Sequence, residues 1–171
     1  MSIKRKKNEK GSLMIESMVA MTLVLVGLLG IFGLIARSTS LNNDARNRFT
    51  ATYLAAEGLE IVKNIIDTDI SIGQQTQGAT FWNSTIDSGT YEVQYNTDRN
   101  TFGTISAVGS LLFDSSTGFY SYDSGVSSIF TRTVKITVSE SEARVDSIVK
   151  WSENGRENTV DLSNIFTDWR G

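Results

Sequence analysis

Residues 18–36, MVAMTLVLVGLLGIFGLIA, run for nineteen residues without a charge, and no other feature restricts the fold of the chain as severely. As a helix, such a run is long enough to cross the hydrocarbon core of a bilayer. It is therefore a candidate for a single membrane span, with the rest of the chain appended to it. With 171 residues there is room for one globular domain beyond that element.

Charge is distributed asymmetrically about the run. Lys4, Arg5, Lys6, Lys7 and Lys10 precede it against Glu9 alone, a local balance of +4. Five of the 16 basic residues but one of the 19 acidic ones lie in those first ten positions. The remainder thus carries 11 basic against 18 acidic side chains, a balance of −7. Basic residues are retained on the cytoplasmic side of a span, so the order predicts one crossing with the N-terminus inside and the C-terminal domain outside. An acidic domain disfavours broad electrostatic binding to nucleic acid, and no specific nucleic-acid partner is expected. The chain has no Cys and no His, which removes disulfides, thiolate nucleophiles, imidazole bases and the common transition-metal sites. No cofactor and no metal are expected.

An ordinary secretory signal would pair a shorter apolar region with a small-residue cleavage site on its far side. Here the far side reads Ile35-Ala36-Arg37-Ser38-Thr39-Ser40, and cleavage there would leave a chain beginning near Ser38. The near side is more distinctive. Gly11 stands where the basic leader meets the apolar run, and Glu16 lies just inside it. A carboxylate at the edge of a membrane helix costs on the order of a few kcal/mol unless it is paired or reaches the interface. The plain explanation is a headgroup-level acid favoured by the helix N-terminal dipole; the functional one is a partner of opposite charge.

Lys10-Gly11-Ser12-Leu13-Met14-Ile15-Glu16-Ser17 resembles the class III signal of type IV pilins and pseudopilins. The resemblance implies cleavage by a prepilin peptidase between Gly11 and Ser12, N-methylation of Ser12, and pairing of Glu16 with a mature N-terminal amine, commonly that of an adjacent subunit. Loss of the basic leader would create an ammonium at the helix end that a carboxylate can neutralise, which favours registry and recruitment more than adhesive strength. The resemblance also implies other pilin or pseudopilin subunits, an inner-membrane assembly platform and, before assembly, membrane lipid as partners. Ser12 stands where the family usually has Phe or Met, and Gly33 where many members have a helix-bending Pro. AAEGLEIVKNI and the terminal VKW, hairpin and TDW pattern resemble minor pilins more loosely.

Beyond the run, residues 37–67 mix Ala, Leu, Arg, Lys and Glu without Pro, which favours helix. Ala55, Leu59, Val62 and Ile66 fall on one face, Leu54, Ile61 and Ile65 widen it, and Glu57, Glu60, Asn64 and Asp67 lie opposite. A continuous helix from Ser12 to Ile66 would span about 80 Å. Residues 68–90 read as a connecting loop tethered by Trp82 and containing the glycosylation-like triplet Asn83-Ser84-Thr85. Tyr91, Val93 and Tyr95 alternate with polar residues, as do Phe130, Val134, Ile136 and Val138. Ala143, Val145, Val149 and Trp151 share a strand face, Asn154-Gly155 forms a hairpin turn, and Val160 and Leu162 continue on the returning strand. Asp114, Ser115, Ser116, Asp123 and Ser124 could offer oxygen ligands, but they lack the helix-loop-helix calcium pattern and read as a solvated loop. Glu140 with Glu142, and Glu153 with Glu157, solubilise turns, and no enzyme is expected.

The chain thus reads as an α+β protein: a leader at 1–11, an apolar helix at 12–36, its amphipathic continuation at 37–67, and an antiparallel β-rich head at 68–171. The expected function is that of a filament subunit of minor-pilin or pseudopilin type. The alternative is a singly anchored membrane protein whose head binds a partner and never polymerises.

Overall fold

One helix precedes all the strands: α1 (Glu9–Gln75), then β1 (Gly89–Tyr91), β2 (Ser110–Phe113), β3 (Tyr120–Ser121), β4 (Val126–Val138), β5 (Glu142–Glu153) and β6 (Arg156–Thr167). The computed structural model describes residues 9–75, 82–103, 109–153 and 155–167. Two compact units make up the chain, Met1–Arg46 and Asn47–Gly171. The basic residues Lys4 to Lys7 and the turn residue Asn154 lie outside the described residues.

In the first unit α1 is exposed on every side from Gly11 to Asn43. In the second, Ala51, Leu54, Ala55, Gly58, Ile61, Val62, Ile65, Ile66 and Asp69 are buried, the three- and four-residue spacing of one helix face. Burying each Leu, Ile or Val of that face contributes roughly 1.5–3 kcal/mol, more than helix propensity supplies per residue. The same packing carries the helix past residue 67. The loop expected from residue 68 is helical as far as Gln75, because Asp69 is fully buried and Ile70 packs on the core, adding one more turn to the stripe. At the other end α1 starts at Glu9, ahead of the expected Ser12.

The strands form one antiparallel sheet in the order β3-β2-β4-β5-β6, with β1 pairing to β4 beside β2. Phe130, Arg132, Val134 and Ile136 on β4, and Ala143, Val145, Ser147, Val149 and Trp151 on β5, are the buried residues, each alternating with exposed or half-buried neighbours. They meet α1 in two clusters. Leu54, Ala55, Leu111, Phe130, Val149 and Trp151 form one, and Val62, Ile65, Val134, Ile136, Val145 and Trp82 belong to the other. Between them Gly58 allows close approach: a Cβ there would lie 2.5 Å from Ser147 Oγ and 3.2 Å from Val134 Cγ2.

Both long hairpins are tight. Ser139 N–H donates to Glu142 O at 2.8 Å across the β4–β5 turn, and the pairing of Glu153 with Arg156 leaves two residues for the β5–β6 turn. Gly155 has φ of 75°, the left-handed conformation that such turns need. One strand expectation is corrected. Tyr91, Val93 and Tyr95 do not form one alternating strand, since pairing stops at Tyr91. Beyond it Arg132 takes the carbonyl of Val93, and Gln94 N–H donates to Thr97 Oγ1 at 2.9 Å. Tyr95 is exposed and stacks on Phe119 with ring centroids 4.7 Å apart.

Candidate functional site

Gly11, Ser12 and Glu16 all lie on α1 and are all exposed. The Gly11–Ser12 peptide bond sits within regular helix rather than before it, since α1 includes Glu9 and Lys10. Ser12 and Glu16 are four residues apart, which places them on one helix face about 6 Å apart along the axis. Glu16 is the sole ionisable residue between Gly11 and Arg37. Five ion pairs of the described residues fall in the second unit, and none of them involves Glu16.

The surface around this carboxylate is apolar in side chain and in hydrogen bonding. From Leu13 to Ile35 the large apolar side chains are between 46% and 71% exposed. The hydroxyls among them turn back on the helix: Ser17 Oγ donates to Met14 O at 2.9 Å, Thr22 Oγ1 to Met18 O at 2.8 Å, and Thr39 Oγ1 to Ile35 O at 3.0 Å. Each of these three hydroxyls thereby has an acceptor on its own helix. Gly27, Gly30 and Gly33 leave open space where a Cβ would stand. The most apolar 18-residue window has a mean hydropathy of 2.6, so the helix is long and apolar enough to cross a membrane.

The head holds two buried ionic groups that pattern analysis missed. Arg132 is fully buried on the helix-facing side of β4. Its Nη1 donates to Glu57 Oε2 at 2.8 Å and to Leu54 O at 3.0 Å, and its Nη2 donates to Val93 O. Arg132 Nε and Ser147 Oγ have no hydrogen-bond partner. Glu57, expected on the solvent face, is instead half-buried at the rim of this site. The sequence signal was an Arg in the inward register between Phe130 and Val134. At the end of α1, buried Asp69 accepts from Thr85 N and Thr85 Oγ1, both at 2.7 Å, and pairs with Arg99 Nε at 2.7 Å. This carboxylate fastens the segment after the helix to the core, and it occupies the hydroxyl of the glycosylation-like triplet.

A polar cleft of about 540 Å³ lies over Glu92, Gln94, Thr97, Tyr122 and Asp123. Its groups brace one another. Glu92 Oε1 accepts from Gly109 N at 2.6 Å, and Gln94 bridges Asp123 Oδ2 and Tyr122 N. Tyr122 Oη donates to Arg132 O at 3.1 Å, and burial pushes its pKa up to about 12, so it stays a neutral donor at physiological pH. Asp114, one of the candidate oxygen ligands, accepts from the N–H and hydroxyl of Ser116 and closes its own turn. Hydrogen bonds from Ser116 hold its carboxyl below the usual range. Glu157 pairs with Lys150 at 3.4 Å across the hairpin, and Glu153 accepts from Asn47 of α1 at 3.0 Å, so both acids already have partners. Comparison with family models, curated proteins and solved structures finds no match for the chain.

Proposed function

We propose that the chain is a structural subunit of a type IV pilus-like filament, of the minor-pilin or pseudopilin kind. One observation carries the reading: a helix exposed and apolar on every side, broken by a single carboxylate placed one turn beyond a Gly-Ser junction. A surface of that kind needs a non-aqueous surrounding, and both lipid and a bundle of like helices provide one. The precursor waits in the cytoplasmic membrane, N-terminus inside and head extracellular or periplasmic. A prepilin peptidase cuts after Gly11, and Ser12 becomes the methylated N-terminal residue. On extraction into the filament, neighbouring helices replace lipid, and Glu16 neutralises a mature amine. Repetition of one heterologous contact gives an open polymer. The chain carries no catalysis in this scheme.

The test is the N-terminus of the protein recovered from membranes of a host with its own processing peptidase, read by intact mass and terminal sequencing. Cleavage before Ser12, with the mass of one added methyl group, is the expected result, and Glu16→Ala should then abolish recovery in filaments. A chain that keeps Lys4 to Lys10 would sink the proposal in favour of a simple anchored protein, and one beginning near Ser38 would mark the apolar run as an export signal.

A further inference from the structure

The two edges of the sheet are unequal. On one side β1 has three residues and β3 two. On the other, β6 pairs with β5 through twelve consecutive residues without a bulge, and among the described residues nothing pairs with its far side. Proteins blunt such edges with Pro, bulges, short strands or charge. The chain has no Pro, and β6 has charge only in its first half, at Arg156, Glu157 and Asp161; Leu162 to Thr167 have none.

Hydrogen-bond parity identifies the groups on offer. The Ser139–Glu142 bond makes the even-numbered residues of β5 the ones bonded to β4, so its odd-numbered residues bond to β6. Their partners are Asn158, Val160, Leu162, Asn164 and Phe166. The N–H and C=O of Thr159, Asp161, Ser163, Ile165 and Thr167 therefore point away from the sheet. Ile165 N–H agrees: it donates to the Asn164 side chain at 2.9 Å instead of entering a ladder. Side chains add to the offer, since Val160, Leu162 and Phe166 are half-buried on the helix-facing side and Ile165 is 52% exposed on the other.

We propose that the Leu162–Thr167 edge of β6 receives an extended, uncharged segment of a different subunit, which adds a strand to this sheet and covers the row Val160, Leu162 and Phe166 with apolar side chains. Backbone donors and acceptors in line are complementary to another strand and to little else. The chain's other edge strands are too short to serve. Antiparallel pairing of β6 with β6 of a second copy would reverse every element of that copy, α1 included, whereas chains anchored in one membrane enter their heads in the same direction. The inference rests on the filament reading for the existence of such a neighbour.

Hydrogen exchange resolved to single amides, on the full chain in detergent micelles and in sheared filaments, tests it. The Asp161, Ser163 and Ile165 amides should exchange fast in micelles and slow by about tenfold or more in filaments, while Leu162 and Asn164 are slow in both. Ile165→Pro removes an outward N–H without touching the β5 ladder. It should be cleaved normally yet fall about tenfold in filament recovery. Filaments containing the chain with unchanged β6 exchange would overturn the inference and leave the parent reading standing. Protection already present in micelles, with a dimer, would replace the foreign strand by self-pairing. A chain absent from every filament overturns both.

Discussion

Removing Glu57 should damage the head more than removing Glu57 and Arg132 together. The Arg132 guanidinium is fully buried, and its one counter-charge is a carboxylate whose side chain is 32% exposed. Glu57→Ala strands a buried cation with only the Leu54 and Val93 carbonyls around it. Breaking a buried pair from one side costs about 3–5 kcal/mol; because Glu57 sits at the rim, where water can replace it in part, we expect about 3 kcal/mol. Arg132→Met keeps most of the stem packing and discharges the site, but it leaves Val93 O without its donor, a loss of about 1–3 kcal/mol. Leu54 O keeps its helical bond. In the double variant no charge is stranded, so its loss should match that of Arg132→Met alone, about 3 kcal/mol less than additivity requires. Trp82 and Trp151, both buried in the head, report its unfolding by fluorescence during urea titration of the full chain in micelles. Additive losses, or a Glu57→Ala loss under about 1 kcal/mol, would refute the view that a desolvated charge dominates this site.

Gly58→Ala should lower head stability by about 1–3 kcal/mol through overpacking, although alanine is the better helix former by about 1 kcal/mol. Adding Ser147→Ala removes the 2.5 Å contact and should restore most of the loss in the same titration; no rescue would place the clash elsewhere. The Asp146 carboxyl is held below its usual 3.8 first by the Ser163 hydroxyl and then by Arg144. A carboxyl with a lowered folded-state pKa stabilises above its unfolded value and loses that contribution as pH falls through the folded value. Stability curves between pH 5 and pH 2 should therefore fall less steeply for Asp146→Asn than for wild type, and parallel curves would remove Asp146 from the acid response.

Legibility followed the physical range of each interaction. The apolar run, the amphipathic stripe from Leu54 to Ile66 and the hairpin turn with Gly155 depend on neighbours within a few residues, and each is where periodicity or turn chemistry places it. The failures share one cause. Ile70 and Asp69 extend α1 because a core lies under them, and pairing ends at Tyr91 where Arg132, 39 positions from Val93, takes the Val93 carbonyl. Glu57 looked like a solvent-face acid because nothing within one helical turn shows that an arginine waits across the interface.

For the candidate site the division is sharper. Gly11, Ser12, Glu16 and the charge-free run are consecutive in the chain, so their chemistry is a matter of order and spacing, and the fold adds only that they share one exposed helix. By itself the sequence determined the existence of an apolar helix, its basic approach, the one acid within it and an α+β head. The tertiary structure alone decided that Arg132 and Asp69 are buried, that Gly58 must stay small, and that β6 ends the sheet with a far side nothing among the described residues pairs with. Each of these depends on which distant segments meet, and a pattern read along the chain does not contain the partner across a packed interface.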